Sequence, residues 1–257
     1  YVPKIIDIKK HMYSYALEKG KIFSSNPSLK NFKELLNFSE KFWELDRIKN
    51  SNKEQKKKAE KFYRDKTISR VKLFFKIFSI KDSINLINSE KVNSVKNLLK
   101  AIDWNDLCSG KFGWFHGDYH FENILINQNN KNHFILLDWR QDFQGSLSKG
   151  DIYYDLAKLL HGMIVSHPQV VLNKFKFNKR NKNIKVSIEI TKDIKNCRIY
   201  FYKWLEKNNL SKNKVNIITS LIFLNIAPLH HYPYNNFLFY LGKLMLQKTL
   251  NNEDFFY

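Results

Sequence analysis

Apolar residues first recur at helical spacing in Leu29, Phe32, Leu35, Leu36, Phe42 and Trp43, which predicts a helix opened by Asn26 as cap and Pro27 in its first turn. Phe62, Ile68, Val71, Phe74, Phe75 and Phe78 form a second stripe. Between the two, residues 50–61 are almost wholly polar and basic, so they read as a loop or as the exposed start of the second helix. A short helix is expected around 90–101. Strand patterns stand elsewhere. Two short strands are predicted within residues 4–18, Ile5-Ile6-Asp7-Ile8 and a partly alternating run His11–Leu17, ending near Gly20. Ile124-Leu125-Ile126 and Phe134–Leu137, joined by the polar Asn127–Asn132, predict a hairpin with a buried second strand. Asp151 is placed to cap a helix carrying Ile152, Leu156, Leu159, Leu160 and Met163 on one face. Phe175 and Phe177, then Ile184, Val186, Ile188 and Ile190, alternate with polar residues and predict a second hairpin, exposed on one face. Three helices should follow, near 191–207, 213–227 and 235–250. No internal repeat is present.

Composition narrows the class. A chain of 257 residues with 43% hydrophobic and 15% aromatic content can bury a core, which excludes a disordered chain and allows one large domain or two small ones. The apolar run Val215–Leu229 is short and interrupted by Asn216, Asn225 and Pro228, so it reads as a buried helix, and no membrane span is expected. No signal peptide is recognised. Cys108 and Cys197 stand far apart without metal-type spacing, which points to a reducing, cytoplasmic setting with neither disulfide nor zinc. The net charge of +20 is carried by scattered lysines with one dense cluster, Lys53–Lys61. That distribution suits solvated faces; a nucleic-acid surface is not expected, while a partner bearing phosphates would suit the sign.

The densest chemistry lies in His116-Gly117-Asp118-Tyr119-His120-Phe121-Glu122-Asn123, followed by Asp138 at the end of the predicted strand. An Asp, an Asn five places on and a second Asp after a buried strand are the groups that ATP-dependent phosphoryl transfer needs. One carboxylate orients or deprotonates the attacking hydroxyl; the amide oxygen and the second carboxylate hold Mg2+, a hard cation that takes oxygen ligands. The spacing copies the kinase catalytic-loop pattern H-x-D-x-x-x-x-N. Asp138 follows four apolar residues, where a carboxylate is costly to bury without a cation. His116 is expected to brace the loop and His120 to lie near phosphates or substrate. The order His-x-Asp-x-His also permits a rival, a dinuclear metal-dependent phosphoesterase, although His133 and His230-His231 make a thin set of further ligands. Asp155 reads either as an exposed first-turn carboxylate or as a buried brace under the loop.

Residues 114–162, with HGD-x-x-x-x-N, an LLDW strand end and GD-x-x-YDLA, resemble the aminoglycoside phosphotransferase and choline kinase-like family of small-molecule kinases. The resemblance implies an α+β, protein-kinase-like fold with a mostly helical large lobe and ATP bound between two lobes. It implies Asp118 as catalytic base, Asn123 and Asp138 as magnesium ligands, and Asp151 and Asp155 at the start of a helix under the loop, with Asp155 as its anchor. "HMYSYALEKGKIF" looks like the last small-lobe strand entering a hinge, where the backbone of Tyr15, Ala16 and Leu17 would meet adenine. Residues 1–20 would then be the remnant of the small lobe, and 21–257 the large lobe. "FYRDKTISRVKLFF" and the pairing of HGD with DWRQDF also resemble kinase-like proteins encoded with bacterial surface-polysaccharide genes.

The chain departs from that pattern in having no glycine-rich phosphate loop and no strand lysine upstream of the hinge; Lys9 and Lys10 sit in the wrong strand. It opens on Tyr1 rather than Met, and reads as a chain entered partway through. Arg140, after Asp138-Trp139, stands where the family commonly has small or acidic residues; it would touch a phosphate or an anionic substrate, or pair with Asp142. The acceptor, a sugar, an amino alcohol such as choline or ethanolamine, or an aminoglycoside, would enter a cleft lined by Asp118, Trp139 and Arg140. His230, His231, Tyr232 and Tyr234 are further candidates for its lining. The second function class is a kinase-fold binding module without turnover.

Overall fold

The computed structural model describes residues 3, 5–10, 12–127 and 133–255. His11 and most of the connection Asn127–Asn132 lie outside them. In chain order, the exposed hairpin β1 (Ile5–Lys9) and β2 (Met12–Tyr15) precedes β3 (Lys21–Ile22), α1 (Leu29–Trp43) and β4 (Lys49–Asn50). Then come α2 (Lys53–Glu60), one π turn (Lys61–Asp65), α3 (Lys66–Phe78), β5 (Asn85–Ile87), β6 (Glu90–Val92), α4 (Val95–Ala101) and α5 (Trp104–Leu107). The site region holds β7 (Lys111–Trp114), β8 (Ile124–Ile126), β9 (Phe134–Leu136), β10 (Lys149–Asp151) and α6 (Ile152–Ile164). The chain closes with α7 (His167–Val171), β11 (Phe175–Arg180), β12 (Asn183–Ile188), α8 (Lys192–Lys207), α9 (Lys212–Ile226) and α10 (Tyr234–Leu250).

The mixed α/β character predicted from periodicity is present, as helices around several small sheets. Strand orders are β1-β2, β10-β7-β4, β11-β12-β5-β6 and β3-β8-β9, and among the described residues only β12–β5 is parallel. The expected start of α1 is displaced: Ser28, not Asn26, is the cap, its hydroxyl accepting from the Asn31 N–H. Residues 53–60 resolve in favour of helix, because Asn52 and Gln55 form a reciprocal capping box. The helix expected over 90–101 begins only at Val95; Glu90–Val92 instead pairs with β5 across Asn88-Ser89, both at positive φ. Both strands of the β8–β9 hairpin are buried, not the second alone.

The centre of the molecule is α6. Every residue from Ile152 to Ile164 except His161 is buried, as expected of a helix with apolar side chains around most of its circumference. It packs against α9, and α9 against α10. Gly242 permits the second contact, since a Cβ there would stand 2.8 Å from Phe223 Cβ and 2.9 Å from Ser220 O. Complete burial of apolar side chains on all three helices, among them Ile152, Leu156, Leu160, Ile218, Phe223 and Phe237, supplies the apolar area that fixes α6 in place. Among the described residues no helix is long and apolar enough to cross a membrane, in agreement with the reading of Val215–Leu229.

Candidate active site

Polar groups on a buried helix must find partners, and those of α6 find them in the loop above it. Asp151 caps the helix through Tyr153 N–H (3.1 Å) and also accepts from Lys111 N–H (3.2 Å) and the Tyr63 hydroxyl (3.0 Å). Burial pushes its carboxyl up to about 6 against these bonds. One turn later Asp155 accepts from His116 N–H (2.9 Å), Gly117 N–H (2.7 Å) and the Trp43 indole (3.1 Å). Of the two readings left open for Asp155, the geometry is therefore that of the buried brace. Burial raises its carboxyl to about 7, with the His116 and Gly117 amides opposing.

The loop itself turns at Gly117, whose φ is +83° and where a Cβ would collide with Arg140 and the Phe115 ring; only glycine meets both demands. His116 is fully buried, its Nε2 2.8 Å from Leu137 O and its Nδ1 accepting from Asp118 N–H (3.1 Å). Desolvation lowers it to about 4, so it is a neutral brace between loop and strand end. With both ring nitrogens engaged, it has none left for a metal, which removes one ligand from the rival phosphoesterase arrangement. Arg140 N–H donates to His116 O (2.9 Å) and closes the same staple from the other side.

Asp118 sits half-buried at the apex. Lys158 Nζ lies 2.5 Å from its Oδ1 and His120 Nε2 3.3 Å from its Oδ2. Burial acts to raise this carboxyl, but the His120 hydrogen bond and the Lys158 charge outweigh it and hold it well below the usual carboxylate range. His120 is bound on its other side by Glu122 (2.8 Å). Burial lowers it, and bonding to the two carboxylates more than compensates, leaving it above its ordinary value. Asn123 donates from Nδ2 to Asp118 O (2.9 Å) and Asp118 Oδ2 (3.1 Å), which leaves its amide oxygen as the atom able to face a cation.

The hairpin brings the two expected metal ligands to one end. Ile124 pairs with Leu136, and Leu137 N–H donates to Asn123 O (2.8 Å), so Asp138 emerges beside Asn123. Asp138 is exposed with φ +51°, and no side-chain hydrogen bond or ion pair holds its carboxylate among the described residues. An amide oxygen and an unengaged carboxylate are a donor set suited to a hard divalent cation. The described residues hold no group of three or more His, Cys, Asp and Glu side chains arranged for a metal; here one of the two oxygen donors is an amide.

The other expected site residues are placed differently. Trp139 donates its indole N–H to Leu136 O (3.1 Å) and packs edge-on to Phe42, with its ring 5.0 Å from His116, so it braces the strand end. The Arg140 guanidinium lies over the Phe62 and Tyr154 rings, 4.9 and 5.9 Å from their centroids, and Asp142 accepts instead from Gly145 N–H. Tyr15 ends the exposed hairpin, paired with Ile5, and Ala16 and Leu17 lead on toward β3, which pairs with β8. His230, His231 and Tyr232 stand on an exposed turn, and Tyr234 packs on Phe175 and Phe237. Cys108 and Cys197 are free and buried.

Lys158 escaped the sequence reading. Its signal was available: the single lysine of a mostly apolar helix, three places after Asp155, is a buried cation in need of an anion.

Residues 52–178, which hold the loop, the hairpin and α6, match the model of a family described as the phosphotransferase enzyme family. No curated protein and no solved structure matches the chain.

Proposed function

We propose, from the match of residues 52–178 to the phosphotransferase enzyme family, that this chain moves the γ-phosphate of ATP to a hydroxyl group of a small molecule. The observation that carries this reading is the joined set Asp118, Asn123 and Asp138, with the first two hydrogen-bonded and the third beside them at the hairpin end.

Asp118 receives the acceptor hydroxyl. Lys158 and His120 keep its carboxyl ionised, so it offers an oxygen acceptor that orients the hydroxyl and takes its proton late. Late transfer suits a loose transition state, in which little bond formation precedes phosphoryl departure. Asn123 Oδ1 and Asp138 would hold magnesium, which when bound neutralises phosphate charge. His116 and Asp155 hold the loop at its angle without touching the reacting atoms. Tyr15–Leu17 would meet the adenine from the edge of β3.

The test is transfer from labelled ATP to a panel of sugars, amino alcohols and aminoglycosides, by the wild-type chain and by Asp118→Asn. The replacement should cost about two to four decades in turnover, the usual worth of a positioned base. Near-full turnover by the variant sinks the assignment of Asp118. Phosphate release from a phosphoester without nucleotide would point to the phosphoesterase instead.

A further inference from the structure

Sugar, amino-alcohol and aminoglycoside acceptors differ in charge, and the residues around Asp118 discriminate among them. A cationic acceptor needs carboxylates. The carboxylates around the acceptor position are already engaged, Asp118 by Lys158 and His120, Glu122 by His120, Asp155 by backbone amides, and the free one, Asp138, is the metal ligand of the proposed reaction. Beside them stands an uncompensated group of cations. The stem of Arg140 lies against Gly117, one residue from Asp118, and its guanidinium sits 4.9 Å from the Phe62 ring centroid. Lys66 Nζ lies 4.7 Å from the centroid of the same ring. Arg70 follows one turn along α3, on the face that carries Lys66.

These three side chains are half-buried rather than splayed into solvent. Among the described residues no carboxylate lies within ion-pair distance of any of them, whereas Lys58, Arg64, Lys214 and Lys248 all have carboxylate partners. The π turn Lys61–Asp65 buries Phe62 and Tyr63 and sets the start of α3, hence Lys66, beside that ring. Single π turns of this kind are frequent at functional sites. Like charges gathered on one aromatic ring repel one another, and the ring's quadrupole offsets only a little of that. Lys66 registers the strain: burial, then Arg140, Arg70 and Lys158, bring it down to about 8.

We propose that the acceptor is an anion, a hydroxyl compound that also bears a phosphate or carboxylate group, which Lys66, Arg70 and Arg140 grip while its hydroxyl meets Asp118. The guanidinium fork can take two oxygens of such a group and the ammonium a third. This inference rests on Asp118 being the acceptor-side residue.

Binding to the chain Tyr1–Tyr257 at constant ionic strength, measured by calorimetry without nucleotide, separates it from the turnover question. The probes are inorganic phosphate, glucose 6-phosphate, gluconate, glucose and choline, with MgATP titrated separately. Saturable binding of phosphate or glucose 6-phosphate is expected, at least about tenfold tighter than glucose or choline. Arg140→Ala and Lys66→Ala should each weaken it by about tenfold while MgATP affinity holds. Gluconate binding as tightly as glucose 6-phosphate would assign the anion as a carboxylate within the same proposal. No saturable binding of any anion, equal binding of choline, or anion binding that survives both replacements overturns it. Loss of MgATP affinity in the variants would assign these cations to the nucleotide and overturn it too. Intact anion binding in a chain that never transfers phosphate would sink the proposed reaction and leave the anion site standing.

Discussion

The loop His116–Asn123 and the segment that begins at Asp138 meet at one site but are built in opposite ways. In the loop the polar side chains and the turn amides are tied down: His116 and Gly117 amides on Asp155, the imidazole on Leu137 and Asp118, the Asn123 amide nitrogen on Asp118, His120 on Glu122. After Leu137 the chain turns through a left-handed Asp138 whose carboxylate is exposed and unengaged, and runs on through Gln144 and Gly145, both also at positive φ. In the proposed reaction the fixed side holds the group that aims at a hydroxyl, and the open side holds one whose partner comes from solution. Stability should therefore depend on the first and function on both.

The largest effect should come from removing the anchor. Asp155→Ala leaves two backbone N–H groups and the Trp43 indole buried without an acceptor, and should cost about 3–5 kcal/mol in denaturant unfolding. A loss under about 1 kcal/mol would mean that α6 does not hold the loop. Asp138→Asn attacks the open side. It should cost about two decades in turnover and leave unfolding unchanged within about 0.5 kcal/mol. Lys158→Met sits on the boundary. Without that cation Asp118 loses part of what holds its carboxyl low, so the acid limb of the pH–rate profile should move to higher pH, with turnover at neutral pH falling by about one decade. An unmoved acid limb would show that His120 alone sets Asp118.

The smallest effect is a pH dependence of stability. His120 has its folded value raised by Asp118 and Glu122, so the protonated ring favours the folded state. That contribution is fully present below the unfolded value of about 6.5 and fades as pH rises through the raised folded one. His120→Gln should remove about 1 kcal/mol near pH 6 and flatten that slope, as read from denaturant midpoints across pH. A wild-type slope retained in the variant would place the titration elsewhere.

Much of this was legible in the sequence because it is local. The spacing of Asp118, Asn123 and Asp138 is set by one loop and one hairpin, and the stripes of α8–α10 are long enough to place those helices within a few residues. β5 and β6 were not legible: three-residue strands carry almost no period, and their turn, Asn88-Ser89, uses two non-glycine residues at positive φ. The start of α1 was misplaced because Pro27 is a strong signal that here precedes the cap Ser28. Lys66 shares the Phe62 ring with Arg140 only through tertiary packing of α3, about fifty residues upstream of Asp118, which no local pattern reports.

The measurement that tests the contrast most directly takes Asp155→Ala and Asp138→Asn side by side, with unfolding free energy and phosphoryl transfer read from the same preparations. Asp138→Asn should keep wild-type stability and lose transfer, while Asp155→Ala loses several kcal/mol, about 3–5. A stable Asp155→Ala together with a destabilised or fully active Asp138→Asn would contradict a fixed loop facing an open metal-binding end.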